Sequence, residues 1–127
     1  MRMVYTVRGN RLRLAGVLSC MAEGHRITIE PSSAHVRVMH GELLLAETER
    51  ALLLEETGCP PRYYIPAEDV RIDLLTPSDT HTVCSFKGTA SYWSLPDAPD
   101  LAWAYPDPYD AVAQIKGHLC FYEPDVS

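Results

Sequence analysis

A thiol, an amine and two adjacent aromatic rings lie close together in Thr82-Val83-Cys84-Ser85-Phe86-Lys87-Gly88-Thr89-Ala90-Ser91-Tyr92-Trp93. Cys84 and Lys87 are the reactive pair. A neighbouring ammonium favours the thiolate, which is the nucleophilic form. Asp69 or a histidine would then serve as acid or base. Nothing in the sequence completes a triad, so Cys84 and Lys87 stand as catalytic candidates only. The other reading needs no reaction. Tyr63, Tyr64, Tyr92, Trp93, Trp103 and Tyr105 offer more ring surface than a small core requires. With Lys87 and Asp69, such rings form a pocket for a small, flat or cationic ligand. The residues expected to bind it are Tyr63, Asp69, Lys87, Tyr92, Trp93 and Tyr105. Each also has a purely structural reading: the rings as the core of a thin β fold, Lys87 as a solvated turn residue, Asp69 as a cap on backbone N–H groups.

Metal and cofactor chemistry find little support. Cys20, Cys59, Cys84 and Cys120 contain no C-x-x-C pair, so neither a zinc ribbon nor a thioredoxin-type redox site is written here. The expectation is reduced cysteines in a cytoplasmic protein. His25, His35, His40, His81 and His118 are scattered. Cys84, His81 and His118 make the one mixed metal site that can be composed, and it is not favoured. No cofactor and no metal are expected. The net charge of −6 supplies no positive field to replace the counterions of a phosphate backbone, which argues against nucleic acid as a partner. No apolar run is long enough to span a bilayer. Exposed strand edges would allow a homodimer.

These residues must be positioned by short strands. Ten prolines and seven glycines leave little room for long helices. Apolar residues alternate over 26–30, 34–40 and 71–75, and β-prone runs occupy 62–65, 82–85, 89–94, 101–105 and 118–122. Gly41 permits a tight turn between 34–40 and a strand over 42–46. The stretch 47–58 fits either a capped helix or a turn followed by a strand. Pro60-Pro61 forces extended backbone soon after and tips the choice to the strand. Residues 76–79 and 96–100 read as a turn and a loop, and 109–116 as two helical turns stopped by Gly117. If 82–85 and 89–94 pair as a hairpin, Cys84, Ala90 and Tyr92 share one face and Val83, Ser91 and Trp93 the other. The sum is a mainly β, compact antiparallel fold with one or two short helical turns.

One domain is expected over 23–127, preceded by a loosely held extension over 1–22. That extension carries Arg2, Arg8, Arg11 and Arg13 and no acid. Val17-Leu18-Ser19-Cys20 loosely resembles a lipoprotein cleavage box, and the acid-free start a transit peptide. The apolar run is too short for a secretory core.

Four blocks carry a family resemblance. They are Gly58-Cys59-Pro60-Pro61-Arg62-Tyr63-Tyr64-Ile65-Pro66 with Asp69-Val70, then Thr82-x-Cys84-x-x-Lys87-Gly88-x-Ala90-x-Tyr92-Trp93, then Ala102-Trp103-x-Tyr105-Pro106, then Ile115-x-Gly117-x-x-x-Phe121-Tyr122. In this order, from about Ile27 to Val126, the chain resembles the domain-of-unknown-function 427 family. The resemblance implies a tent-like, open-barrel sheet of the kind also used by methionine sulfoxide reductase B and the drug-binding domain of cereblon. It implies no reaction. A nucleotidyltransferase label sometimes attached to the family needs paired carboxylates around Mg²⁺ and a phosphate loop. In a strand, Asp69 and Asp73 would lie about 13 Å apart, too far to share a metal. The C-x-x-C pairs of a tent-fold zinc site are missing too.

Overall fold

The protein is described from a computed structural model over residues 25–127. The expected extension over 1–22 and Cys20 lie outside the described residues. Among the described residues, ten strands form two antiparallel sheets. They are β1 (Ile27–Pro31), β2 (Val36–His40), β3 (Leu43–Thr48), β4 (Leu52–Glu56), β5 (Arg62–Pro66), β6 (Thr76–Cys84), β7 (Gly88–Leu95), β8 (Ala98–Ala104), β9 (His118–Phe121) and β10 (Asp125–Val126). The large sheet has the order β1-β4-β5-β9-β8-β7-β6 and the small one β10-β2-β3. Short 3₁₀ segments occupy Ala67–Asp69, Ile72–Leu74 and Asp110–Ile115, the last broken by a kink at Val112. The expectation of a mainly β, antiparallel fold with short helical turns is borne out, and the sheets do not close into a barrel.

Strand alternation divides the large sheet into two faces. One face carries Tyr63, Ile65, Trp93, Leu95, Ala102, Ala104, Leu119 and Phe121, which pack against Val36, Val38, Leu45 and Ala46 of the small sheet. The other carries Leu54, Tyr64, Ala90, Tyr92, Trp103, Tyr105 and Cys120, and packs against Val112 and Ile115 of the third 3₁₀ turn. The hairpin expected around Lys87 forms as β6–β7, with Thr82 opposite Ala90 and Cys84 opposite Gly88. Cys84, Ala90 and Tyr92 share the second face.

Three local expectations are corrected. Residues 71–75 are not a strand: Ile72–Leu74 is a 3₁₀ turn. The alternation there suits one tight turn equally well, and Arg71 clasps Asp73 through two hydrogen bonds of 3.1 and 3.0 Å. Residues 76–79 are not a free turn but the start of β6. Pro77 is tolerated because β6 is an edge strand, and the ladder is irregular between Pro77 and His81. Residues 98–100, expected in a loop, already belong to β8.

The large sheet curls strongly toward its second face. Glu56 ends β4 and Lys87 begins the approach to β7, with β5, β9 and β8 between. Four strand spacings would separate them by about 19 Å in a flat sheet. Their side chains nevertheless meet, with Nζ 2.5 Å from Oε1. The second face is therefore concave.

Candidate functional site

Lys87 lies in the turn joining β6 to β7. Its N–H donates to the Cys84 carbonyl at 3.3 Å, and its carbonyl accepts from the Tyr109 N–H at 3.0 Å. Gly88 follows with φ +119°, a conformation that L side chains rarely adopt, and its α-carbon faces the Asp107 carbonyl. The turn is thus tied to the chain entering the third 3₁₀ turn, and the lysine is driven inward. Lys87 is 7% exposed, not solvated at the tip as its structural reading requires.

Glu56 receives it. On β4, Leu52, Leu54 and Glu56 share the concave parity. Gly58 at φ +79° and the Cys59 N–H bond to the Glu56 carbonyl, 3.0 Å, turn the chain just beyond. His25 lies on the far side of the carboxylate, its Nε2 3.0 Å from Oε2. Arg26 fixes that histidine in place through reciprocal contacts with Thr57, N–H to Oγ1 at 2.9 Å and carbonyl to N–H at 3.0 Å. The His25 ring stacks on Phe86, centroids 3.8 Å apart and planes 12° apart. Its side chain is 5% exposed. The approach to Glu56 is close but not aligned as a hydrogen bond, and Nδ1 has no partner among the described residues.

The surroundings are tyrosines and thiols. Burial alone would push the Lys87 ammonium toward neutrality. Cys84, Glu56 and Tyr64 outweigh it and hold the lysine well above its ordinary range, fully charged. Burial pushes the Tyr64 hydroxyl far upward, reinforced by Cys120 and opposed by Lys87 and the neighbouring Trp103 indole. Burial likewise lifts Tyr105, helped by Tyr64, Cys84 and Tyr92. The Cys120 thiol is pushed up to about 12 by burial, against the pull of Arg62 and Lys87. Tyr92 shares a 3.0 Å hydrogen bond with Thr82. At the other end of the rings, Arg62 lies over Trp103 and Tyr122, 5.2 and 5.6 Å from their centroids.

The six expected ligand residues do not share one face. Lys87, Tyr92 and Tyr105 come together on the concave side. Tyr63 and Trp93 pack against the core beneath the small sheet. Asp69 is elsewhere, accepting from Thr48 Oγ1 at 2.7 Å and from Arg50 at 3.1 Å. It caps no backbone N–H at its own turn. Asp69 and Asp73 occupy separate 3₁₀ turns, each bound to an arginine. Cys84 is partly exposed on the concave side. His81 contacts Ser91 and His118 its neighbouring Lys116 carbonyl, and no metal-binding group of three is found among the described residues. Three residues of the concave cluster escaped sequence reasoning: His25, Glu56 and Arg62. For two of them a sign was present, since Glu56 and Arg62 are charges at the inward parity of strands whose neighbours Leu54 and Tyr64 are core.

The difference between the thiols is directly testable. Under native conditions iodoacetamide is expected to modify Cys84 and spare Cys120, which is fully buried, until denaturant is added. Peptide mass spectrometry reads the sites, and native labelling of Cys120 at the Cys84 rate would show that the concave face opens freely.

The family model for the Domain of unknown function (DUF427) matches residues 28–127. The chain belongs to the DUF427 family. That match begins just after His25 and contains Glu56, Arg62 and Lys87, so most of the concave cluster lies within the shared DUF427 domain. Comparison with curated proteins finds no match. Among the described residues no helix is long and apolar enough to cross a membrane.

Proposed function

We propose that this DUF427 domain binds a small molecule on its concave face. The rings of Tyr64, Tyr92, Trp103 and Tyr105 form the floor, and Lys87, Glu56 and His25 form a polar end. The observation that carries this reading is the Nδ1 of His25, unpartnered among the described residues, beside a buried Lys87–Glu56 pair. An ion pair taken out of water gives little net stability compared with apolar packing. A buried polar atom without a partner costs about 1–3 kcal/mol. Such costs persist where a ligand or substrate supplies the missing contact. Ile27, Ile29, Leu52, Cys84 and Tyr122 are only partly buried around the cluster, and a ligand enters there.

An enzymatic reading through Cys84 rests on its place beside the Lys87 ammonium. In that reading Lys87 works as a fixed positive charge. A lysine held charged is neither a general base nor a Schiff-base former.

The test is a thermal-shift screen of the chain against common metabolites, with variants on both faces. A ligand at 100 times its Kd adds about 2.7 kcal/mol, a shift of several degrees. His25→Phe keeps the stacking on Phe86 and removes the ring nitrogens. It is expected to abolish the shift, while Asp69→Asn on the other side leaves it intact. A shift that survives His25→Phe and vanishes in Asp69→Asn would move the site off the concave face.

A further inference from the structure

We propose that the ligand of this site is a small organic anion with a flat body, its anionic group held by Arg62. The inference rests on the concave-face reading above and adds the ligand's charge and size. Arg62 sits on the same face as the floor rings, opposite Leu54 in the β4–β5 ladder. Its guanidinium lies over Trp103 and Tyr122, and one Nη donates to the Tyr122 carbonyl at 3.2 Å. Among the described residues it has no carboxylate partner. Among the described residues, Arg50 and Arg71 are paired with carboxylates on the surface. Arg62 instead keeps a part-buried fork of N–H donors on an aromatic platform.

The charges on the face agree. Lys87 is matched by Glu56, and Arg62 is left over. The leftover cation stands within a chain of net charge −6, so the face is a local positive spot that selects anions by complementarity. Both cations lower the thiol of Cys120, which shares the face of the floor rings. Glu56 lies two residues beyond Leu54, so its α-carbon is about 7–8 Å from that of Arg62 across the ladder. On that spacing the proposed ligand is one ring bearing an anionic group at one end and a hydrogen-bonding group for His25 at the other, and not a dinucleotide. A carboxylate and a phosphate monoester both match a guanidinium fork, and the two are separated by experiment.

The experiment uses the chain with four single-ring probes: benzoate, phenyl phosphate, neutral benzamide and cationic benzamidine. Affinities come from ¹H–¹⁵N chemical-shift titration, which also locates binding through the Trp103 indole N–H. The expected result is that benzoate or phenyl phosphate shifts Trp103 and binds at least tenfold more tightly than benzamide. The tighter of the two names the anionic group. Arg62→Gln should abolish the preference, and Arg62→Lys, which keeps the charge, should retain part of it. Trp103 shifts with benzamide or benzamidine equal to or tighter than the anions would overturn the anion proposal and leave the concave-face site standing. Binding of every probe away from Trp103 would overturn both.

Discussion

Replacing Lys87 by methionine is expected to cost about 3–5 kcal/mol, because a carboxylate is then left buried without its ammonium. Glu56 is 8% exposed at the side chain, so water does not replace the lost partner. His25 touches the other oxygen without hydrogen-bond alignment and compensates only in part. In a domain of this size the change lowers Tm by roughly 12–20 °C. The pair also spans the curl of the large sheet, from β4 to the β6–β7 turn, so its loss releases the turn as well as the charge. The double variant Lys87→Met with Glu56→Leu should recover most of the stability, ending within about 1–2 kcal/mol of the parent. Urea unfolding of the four proteins completes the cycle. If Lys87→Met alone stays within 1 kcal/mol of the parent, the pair does not hold the curl. If the double variant is as unstable as the single one, packing of the lysine stem matters more than its charge.

How much of this was legible in the residues follows from the range of the interactions. Faces were legible, because a strand alternates whatever its partner: Cys84, Ala90 and Tyr92 fell on one side as their spacing requires. So was the choice of a strand for β4, since Pro60-Pro61 excludes a helix running on. The fate of Lys87 was not legible. A lysine before a glycine in a hairpin turn is ordinarily solvated. It is buried here because the sheet curls and brings Glu56, thirty-one positions earlier, within reach. Curl is a property of the whole sheet and is not encoded in any window. The aromatic residues expected at one site divide by the same alternation. Tyr63 and Trp93 are near neighbours of Tyr64 and Tyr92 in sequence, and that nearness sends each pair to opposite faces. Asp69 was drawn to a site by its charge, but Thr48 and Arg50 already satisfy it. The same alternation, applied to charged residues, would have found more: Glu56 and Arg62 sit at core parity, where a charge needs a reason.

Alkaline pH should unfold the domain cooperatively from about pH 10 upward, and the buried tyrosines should ionise only as it unfolds. Tyr64 and Tyr105 are held far above the ordinary tyrosine value by burial, and Lys87 above the ordinary lysine value by Cys84, Glu56 and Tyr64 against its own desolvation. In the unfolded chain these groups release their protons near pH 10 and 10.4. Above that, the unfolded state binds fewer protons than the native state, so stability falls as pH rises. All three shifts are upward and act with the same sign. Their contribution is complete below the unfolded values and is lost on the way to the folded ones. Absorbance at 295 nm should therefore show a steep component from Tyr64 and Tyr105 that coincides with loss of the near-ultraviolet circular dichroism of Trp103. Tyr64→Phe removes one of the linked protons. It should make the stability curve shallower above pH 10 even where it lowers stability at pH 7. A single smooth titration of all tyrosines, with the dichroism unchanged through it, would mean that water reaches the floor of the concave face in the native state. The lysine and its carboxylate would then be screened, and the cluster would lose the low-dielectric setting that gives it any power to select a ligand.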